Sequence, residues 1–200
     1  MKITALIILL GLFFLISCKK ERTTLSRDLT NPEIQAQNFQ KYTIRQGQQY
    51  CDQNTYSPVN FSEFKFMVRF DSTAIYTTKE SENQYDINKL YGFSDNNLDH
   101  HKFSARFGWR WSDSALWLFA YTYNNGVRAA KELGTVIIDS ENFCSIKIEA
   151  STYIFTLNDK SDTLQRKSNT KQAVGYKLYP YFGGDEVAPH DINIFIKDLS

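Results

Sequence analysis

The chain has 200 residues, 42% hydrophobic and 15% aromatic, with 23 Lys and Arg against 22 Asp and Glu. So even a balance spreads no broad positive field, which argues against nucleic acid as a partner. Fifteen Phe, twelve Tyr and four Pro exclude a long disordered protein, and the length suits one domain with a well-buried core.

The first residues carry an address. Met1-Lys2 is followed by an apolar run from Ile3 to Ile16, shorter than the roughly 18–20 residues of a spanning helix and matched to a secretory leader. The run ends in Leu15-Ile16-Ser17-Cys18, which resembles the lipobox of bacterial lipoproteins. That resemblance implies cleavage after Ser17 and a lipid on Cys18, the one covalent group expected; no other cofactor is indicated. Two acyl chains suffice for stable anchoring without a span. Lys19 and Lys20 follow the cysteine; by the lipoprotein sorting rule this favours the outer membrane over the inner, and either face of it stays open.

The expected organisation is therefore a signal peptide over 1–17, a lipidated cysteine and tether over 18–37, and one domain over 38–200. The tether, KKERTTLSRDLTNPEIQAQ after Cys18, is polar and without apolar period. As a flexible chain it reaches about 20–25 Å. Of the three cysteines, Cys51 and Cys144 remain. A bridge between them would close a loop worth about 4–5 kcal/mol in the chain-entropy model; two separate buried thiols are the alternative.

From Phe39 onward the period is two. Tyr42 to Arg45 starts a strand that Gly47 ends, and Asn54 to Asn60 reads as loop. Ser62 to Phe70 alternates cleanly, with Phe64, Phe66, Val68 and Phe70 on one face. Thr73 to Thr78 is β-branched and aromatic and predicts another strand; Lys79 to Gln84 is a polar turn. Tyr85 to Phe93 predicts a strand, or a strand plus a bend at Gly92. An aromatic hairpin, His101 to Val127, follows and closes on Asn124-Asn125-Gly126. Strands are then expected over Leu133–Asp139 and Phe143–Ala150, as a hairpin over Thr152–Arg166, over Ala173–Phe182, and around Ile192, Ile194 and Ile196.

The central hairpin divides into two faces. Phe103, Ala105, Phe107, Trp109 and Trp111 share one, as do Leu116, Leu118 and Ala120. The opposite face carries Arg106, Arg110, Trp117, Phe119, Tyr121 and Tyr123. Guanidinium groups beside aromatic rings suit a sugar: rings stack on Trp and Tyr, and Arg pairs bidentately with a carboxylate or sulfate. Arg106, Arg110, Trp117, Tyr121 and Tyr123 are thus the candidate ligand-binding residues. The same pattern is also what a strand buried on both faces would show.

Other constellations are weaker. Asp95, Asn97 and Asp99 imitate the start of an EF-hand loop, but His100 and Arg106 stand where glycine and glutamate belong. His100 and His101 would point opposite ways in a strand. His190 beside Asp185, Glu186 and Asp191 is a second loose grouping, so no metal site is expected. Glu141 and Glu149 stand alone, without the paired carboxylates of glycoside hydrolysis. Arg106, His101, Tyr121 and Tyr123 are chemically suited to a lyase, yet no complete catalytic constellation or diagnostic motif appears.

Many short strands argue for an all-β antiparallel two-sheet sandwich. The ending YKLYPYFGGDEVAPHDINIFI resembles the closing strands of concanavalin A-like jelly rolls, a fold of many glycan-binding and glycan-cleaving modules. The functional expectation is a lipid-anchored envelope module that binds a polysaccharide. Alternatives are an assembly lipoprotein that binds an envelope protein and, further off, a polysaccharide lyase or hydrolase.

Overall fold

The computed structural model describes residues 39–200, a β-sandwich of twelve strands. In chain order these are β1 (Gln40–Ile44), β2 (Pro58–Phe61), β3 (Glu63–Phe70), β4 (Asn88–Ser94), β5 (Phe103–Ser112) and β6 (Ala115–Asn124). They continue with β7 (Val127–Val136), β8 (Asn142–Glu149), β9 (Thr152–Leu157), β10 (Lys160–Gln165), β11 (Ala173–Leu178) and β12 (Ile192–Asp198). One sheet runs β1-β12-β3-β8-β9-β10 and the other β2-β11-β4-β5-β6-β7, every pairing antiparallel. The leader, Cys18 and the whole expected tether lie outside the described residues.

Alternation builds the core. In β3, Phe64, Phe66, Val68 and Phe70 are fully buried while the residues between them are half-exposed. Ile192, Ile194 and Ile196 of β12 and Cys144, Ile146 and Ile148 of β8 turn the same way. They meet Ala105, Phe107 and Trp109 of β5 and Leu116, Leu118 and Ala120 of β6. Phe107 packs edge-on against Phe66 at 5.5 Å and Phe155 at 5.4 Å, and Trp109 lies 5.6 Å from Phe70. Each such ring contributes about 1.5–3 kcal/mol by burial, with a further increment for the edge-to-face geometry. Of the hairpin face expected to be core, Ala105, Phe107 and Trp109 are core, Trp111 packs against it half-buried, and Phe103 is buried outside the main cluster.

Two tight turns hold the long hairpins in register. Asp113 and Ser114 have φ of 52° and 57°, and Asn125 and Gly126 have 54° and 80°, the left-handed pairs that match strand twist. They fix Ser112 opposite Ala115 and Asn124 opposite Val127.

The structure corrects several local expectations. Thr73–Thr78 is no strand: Asp71 accepts from the Thr73 N–H at 2.9 Å and caps a short 3-10 turn, Ser72–Ala74, and the rest runs irregular. The side-chain cap outweighs β propensity there. Pro58–Asn60, read as the end of a loop, forms β2 with Phe61 and pairs with β11 at a sheet edge, where proline's missing donor costs nothing. The strand expected over 133–139 begins at Val127 instead, because the Asn125-Gly126 turn returns it onto β6; as an exposed edge strand it lacks apolar alternation. Cys51 and Cys144 are free, buried thiols. Cys51 pairs with Ile44 on the side of β1 away from β12, and Cys144 sits on β8, with β1, β12 and β3 between them. Four strand spacings are about 19 Å, beyond the reach of a disulfide.

Candidate functional site

The outer face of the second sheet is divided in two. Over one half, the turn Ser81–Tyr85 folds back on the hairpin. Arg110 donates from Nη1 to the Tyr85 carbonyl at 3.1 Å and from Nε to Ser112 Oγ at 2.9 Å, with its guanidinium 4.8 Å from the Phe119 ring centre. Trp117 donates from Nε1 to the Ser112 carbonyl at 3.2 Å. Arg110 and Trp117 are thus engaged within the protein and lie outside the cleft described next.

The other half is open. A cleft of about 590 Å³ lies over Lys89 of β4, Arg106 of β5, Tyr121 and Tyr123 of β6 and Arg128 of β7. Its rims are His100 and His101 before β5, Tyr50 and Tyr56 from the loop before β2, and Tyr176 to Tyr181 in and after β11. Three of the five residues expected from the sequence, Arg106, Tyr121 and Tyr123, come together here.

Arg106 is the centre of the cleft. It sits opposite Tyr121 in the β5–β6 register, its guanidinium 5.6 Å from that ring centre. Only 7% of the residue is exposed, and its buried Nε has no hydrogen-bond partner. Among the described residues it makes no ion pair either. Burial pushes the guanidinium down to about 10 from 12.5. Gly92 makes this placement feasible: a Cβ there would stand 2.4 Å from Arg106 Cα and 2.3 Å from the Ala105 carbonyl oxygen.

Lys89 reaches the same face through a bulge. The β4–β5 register pairs Lys89 with Gly108 and Gly92 with Arg106, so Leu90 and Tyr91 together oppose Phe107. Both are buried in the core, and Lys89 and Gly92, three apart, look outward together. Strict alternation would have put Lys89 with Tyr91 and Phe93, which is why the sequence did not mark it. Lys89 donates to the Ile87 carbonyl at 2.6 Å and lies 5.1 Å from the Tyr121 ring centre. Burial, then Arg106 and Arg128, lower its pKa from 10.5 to about 8.

At the rim, the His100 ring Nδ1 is 2.9 Å from the Tyr176 hydroxyl, which also accepts from the His100 backbone N–H at 3.2 Å. Burial first, and then Arg106 and His101, hold the His100 imidazole below its ordinary pKa. Burial raises the Tyr176 phenol. Lys177, next to Tyr176 on β11, is paired with Asp198. Asp185 is the one carboxylate among the described cleft-lining residues. The cleft therefore combines positive charge with tyrosine rings, of which Tyr50 and Tyr56 are 65% and 72% exposed. Tyr176 and Tyr181 could have been noticed in the run Tyr-Lys-Leu-Tyr-Pro-Tyr, but only the chain's path beside β4, where Tyr181 and Lys89 exchange backbone hydrogen bonds at 2.9 Å, shows they share the site.

The calcium-like loop and the His190 grouping dissolve. Asp95 is fully buried, accepting from Arg166 at 2.8 Å and from the Tyr153 hydroxyl at 2.6 Å, and no calcium loop can use it. His190 contacts the Thr73 carbonyl, Asp191 pairs with Arg45, and Glu186 caps the backbone of Lys79 and Glu80. Glu141 and Glu149 are exposed at the ends of β8, in the other sheet.

No protein-family model matches this chain, and no curated protein matches it by sequence. By structure it is similar to an alginate lyase at 8% identity and TM-score 0.54, over 79% of this chain and 72% of that one. It is similar to a glycoside hydrolase family 16 endo-glucanase from Bacteroides ovatus at 10% identity and TM-score 0.51, over 80% and 78%. An alginate lyase from Klebsiella pneumoniae matches at 11% identity and TM-score 0.50, over 68% of this chain and 57% of that one. The fold is a jelly-roll β-sandwich. At such identities the likeness reaches no further than the fold.

Proposed function

We propose that the cleft binds an acidic polysaccharide, with Arg106 receiving a sugar carboxylate and the tyrosines stacking on the rings. The observation that carries this is the buried, unpaired guanidinium. A buried cation left without a counter-charge costs several kcal/mol, and an anion arriving in the cleft removes that cost. Lys89 and Arg128 extend the positive charge across β4 to β7, as a chain of charged sugars would need. Sandwiches of this fold among the similar structures include two alginate lyases, which agrees with a uronate as the recognised unit. Calorimetric titration with uronate polymers and with neutral glucans tests the proposal. Binding of the uronate polymer alone, lost in Arg106→Ala, is the expected result; equal binding of neutral glucan, or none of either, rejects it.

One geometric feature favours a second reading, cleavage by β-elimination. The His100 imidazole and Tyr176 hydroxyl, in contact beside Arg106, could move a proton at the carbon next to a carboxylate that Arg106 neutralises. Growth of ultraviolet absorbance from unsaturated ends during incubation with a uronate polymer would separate cleavage from binding. A carboxylate pair for hydrolysis is lacking among the described cleft residues, where Asp185 stands alone.

The lipobox at Leu15–Cys18 leads us to place this module on a bacterial membrane through lipid on Cys18, with the outer membrane favoured. Cys18→Ser should release the protein from the membrane fraction; unchanged fractionation and an unlipidated N-terminal peptide by mass spectrometry would refute the anchor.

A further inference from the structure

We propose that Asp99, His100 and His101 form a zinc site at the rim of the cleft. The sequence argued against it, because consecutive histidines on a strand face opposite ways. Here they occupy a turn. The Asp99 carbonyl accepts from Lys102 N at 2.8 Å and Phe103 N at 3.0 Å, which wraps the backbone and brings the two imidazoles together at 4.2 Å between ring centres.

The donor spacings point to an ion. The Asp99 carboxylate oxygens lie 3.6 Å from His100 Nδ1 and 3.5 Å from His101 Nδ1, and one donor atom from each residue falls within 4.8 Å of the others. These separations exceed a good hydrogen bond. Two ligands at about 2.0–2.1 Å from a tetrahedral zinc stand about 3.3–3.4 Å apart, close to these separations. The carboxylate is already oriented, since Asp99 Oδ1 accepts from the His101 backbone N–H at 2.8 Å. The Tyr176 hydroxyl, 2.9 Å from His100 Nδ1, must give way for that nitrogen to take the ion.

The donor set selects the metal class. Two imidazoles and one carboxylate suit zinc, with nickel and copper as competitors, and disfavour calcium and magnesium, which take oxygen ligands. Three protein ligands leave one tetrahedral position for water or an incoming anion, and both histidines line the cleft. The positive charge of Arg106 opposes the ion and would be offset by an anion bound between them. The site stands on its own donors, whether or not a glycan is the cleft's ligand.

The test is titration of the full, untagged chain, stripped with a chelator, with zinc chloride in a calorimeter and with cobalt(II) followed by visible absorbance. One zinc per chain is expected, with cobalt giving the intense bands of four-coordination. His101→Ala, at an exposed ring, and Asp99→Asn, which keeps the acceptor for the His101 N–H, should each weaken zinc on the order of tenfold or more. His190→Ala, distant from the donors, should leave it unchanged. Absence of binding to the wild type, or equal binding by His101→Ala and Asp99→Asn with folding intact by circular dichroism, overturns the proposal. Because no sugar is present, the result does not depend on the glycan reading.

Discussion

Replacing Arg106 with methionine should stabilise this protein while abolishing its anion binding. Burial lowers the guanidinium from 12.5 to about 10, a cost of about 3 kcal/mol for holding the charge inside, at 1.36 kcal/mol per unit. The sign follows from protonation: at neutral pH the group is charged in both folded and unfolded chains, so the folded state alone bears the penalty. Methionine matches the unbranched stem as far as Nε, stops short of the guanidinium that lies near Tyr121, and removes both the charge and the unpartnered Nε. Some of the gain returns as lost stacking on Tyr121, leaving about 1–3 kcal/mol, or roughly 2–10 °C in Tm for a domain of this size. Thermal unfolding by circular dichroism, alongside calorimetry with a uronate polymer, measures both sides. A methionine variant that is destabilised by more than about 1 kcal/mol would show that Arg106 is compensated in the fold. Retained binding would show that it is not the anion's partner.

The Lys89 side chain should make binding pH-dependent. Its folded pKa of about 8 means the ammonium is present below that value, so affinity for a polyanion should hold at pH 6–7 and fall as pH rises through about 8; Lys89→Met should flatten the profile, and a profile unchanged by the substitution would remove Lys89 from the site. Asp95→Asn leaves the Arg166 guanidinium buried, at 2% side-chain exposure, without its charge partner, and should cost about 3–5 kcal/mol by urea unfolding; a loss under 1 kcal/mol would contradict the pairing. Gly92→Ala places a Cβ against β5 backbone at 2.3–2.4 Å and should destabilise by about 1–3 kcal/mol while weakening the uronate polymer, since β4 must shift away from Arg106. Unchanged melting and binding would show that the bulge yields freely.

Much of this was written along the chain. Alternation over Glu63–Phe70 and Phe103–Ser112 determined which rings form the core, because side chains on a strand have only two faces and one must leave water. The turn residues Asn125-Gly126 determined where the hairpin closes, since they accept positive φ. Arg106, Tyr121 and Tyr123 were readable together because neighbouring strands of a hairpin carry their outward residues side by side. The tertiary structure decided the rest. Arg110 and Trp117 obey the same alternation but are occupied by Tyr85 and Ser112, brought in by a turn whose path no periodicity reports. Lys89 entered the cleft through a bulge that broke the alternation, and His100 met Tyr176 across 76 positions. The two cysteines remained apart for the same reason: strand order, with β12 and β3 between β1 and β8, is a property of the folded sheet, and local pattern carries only the faces.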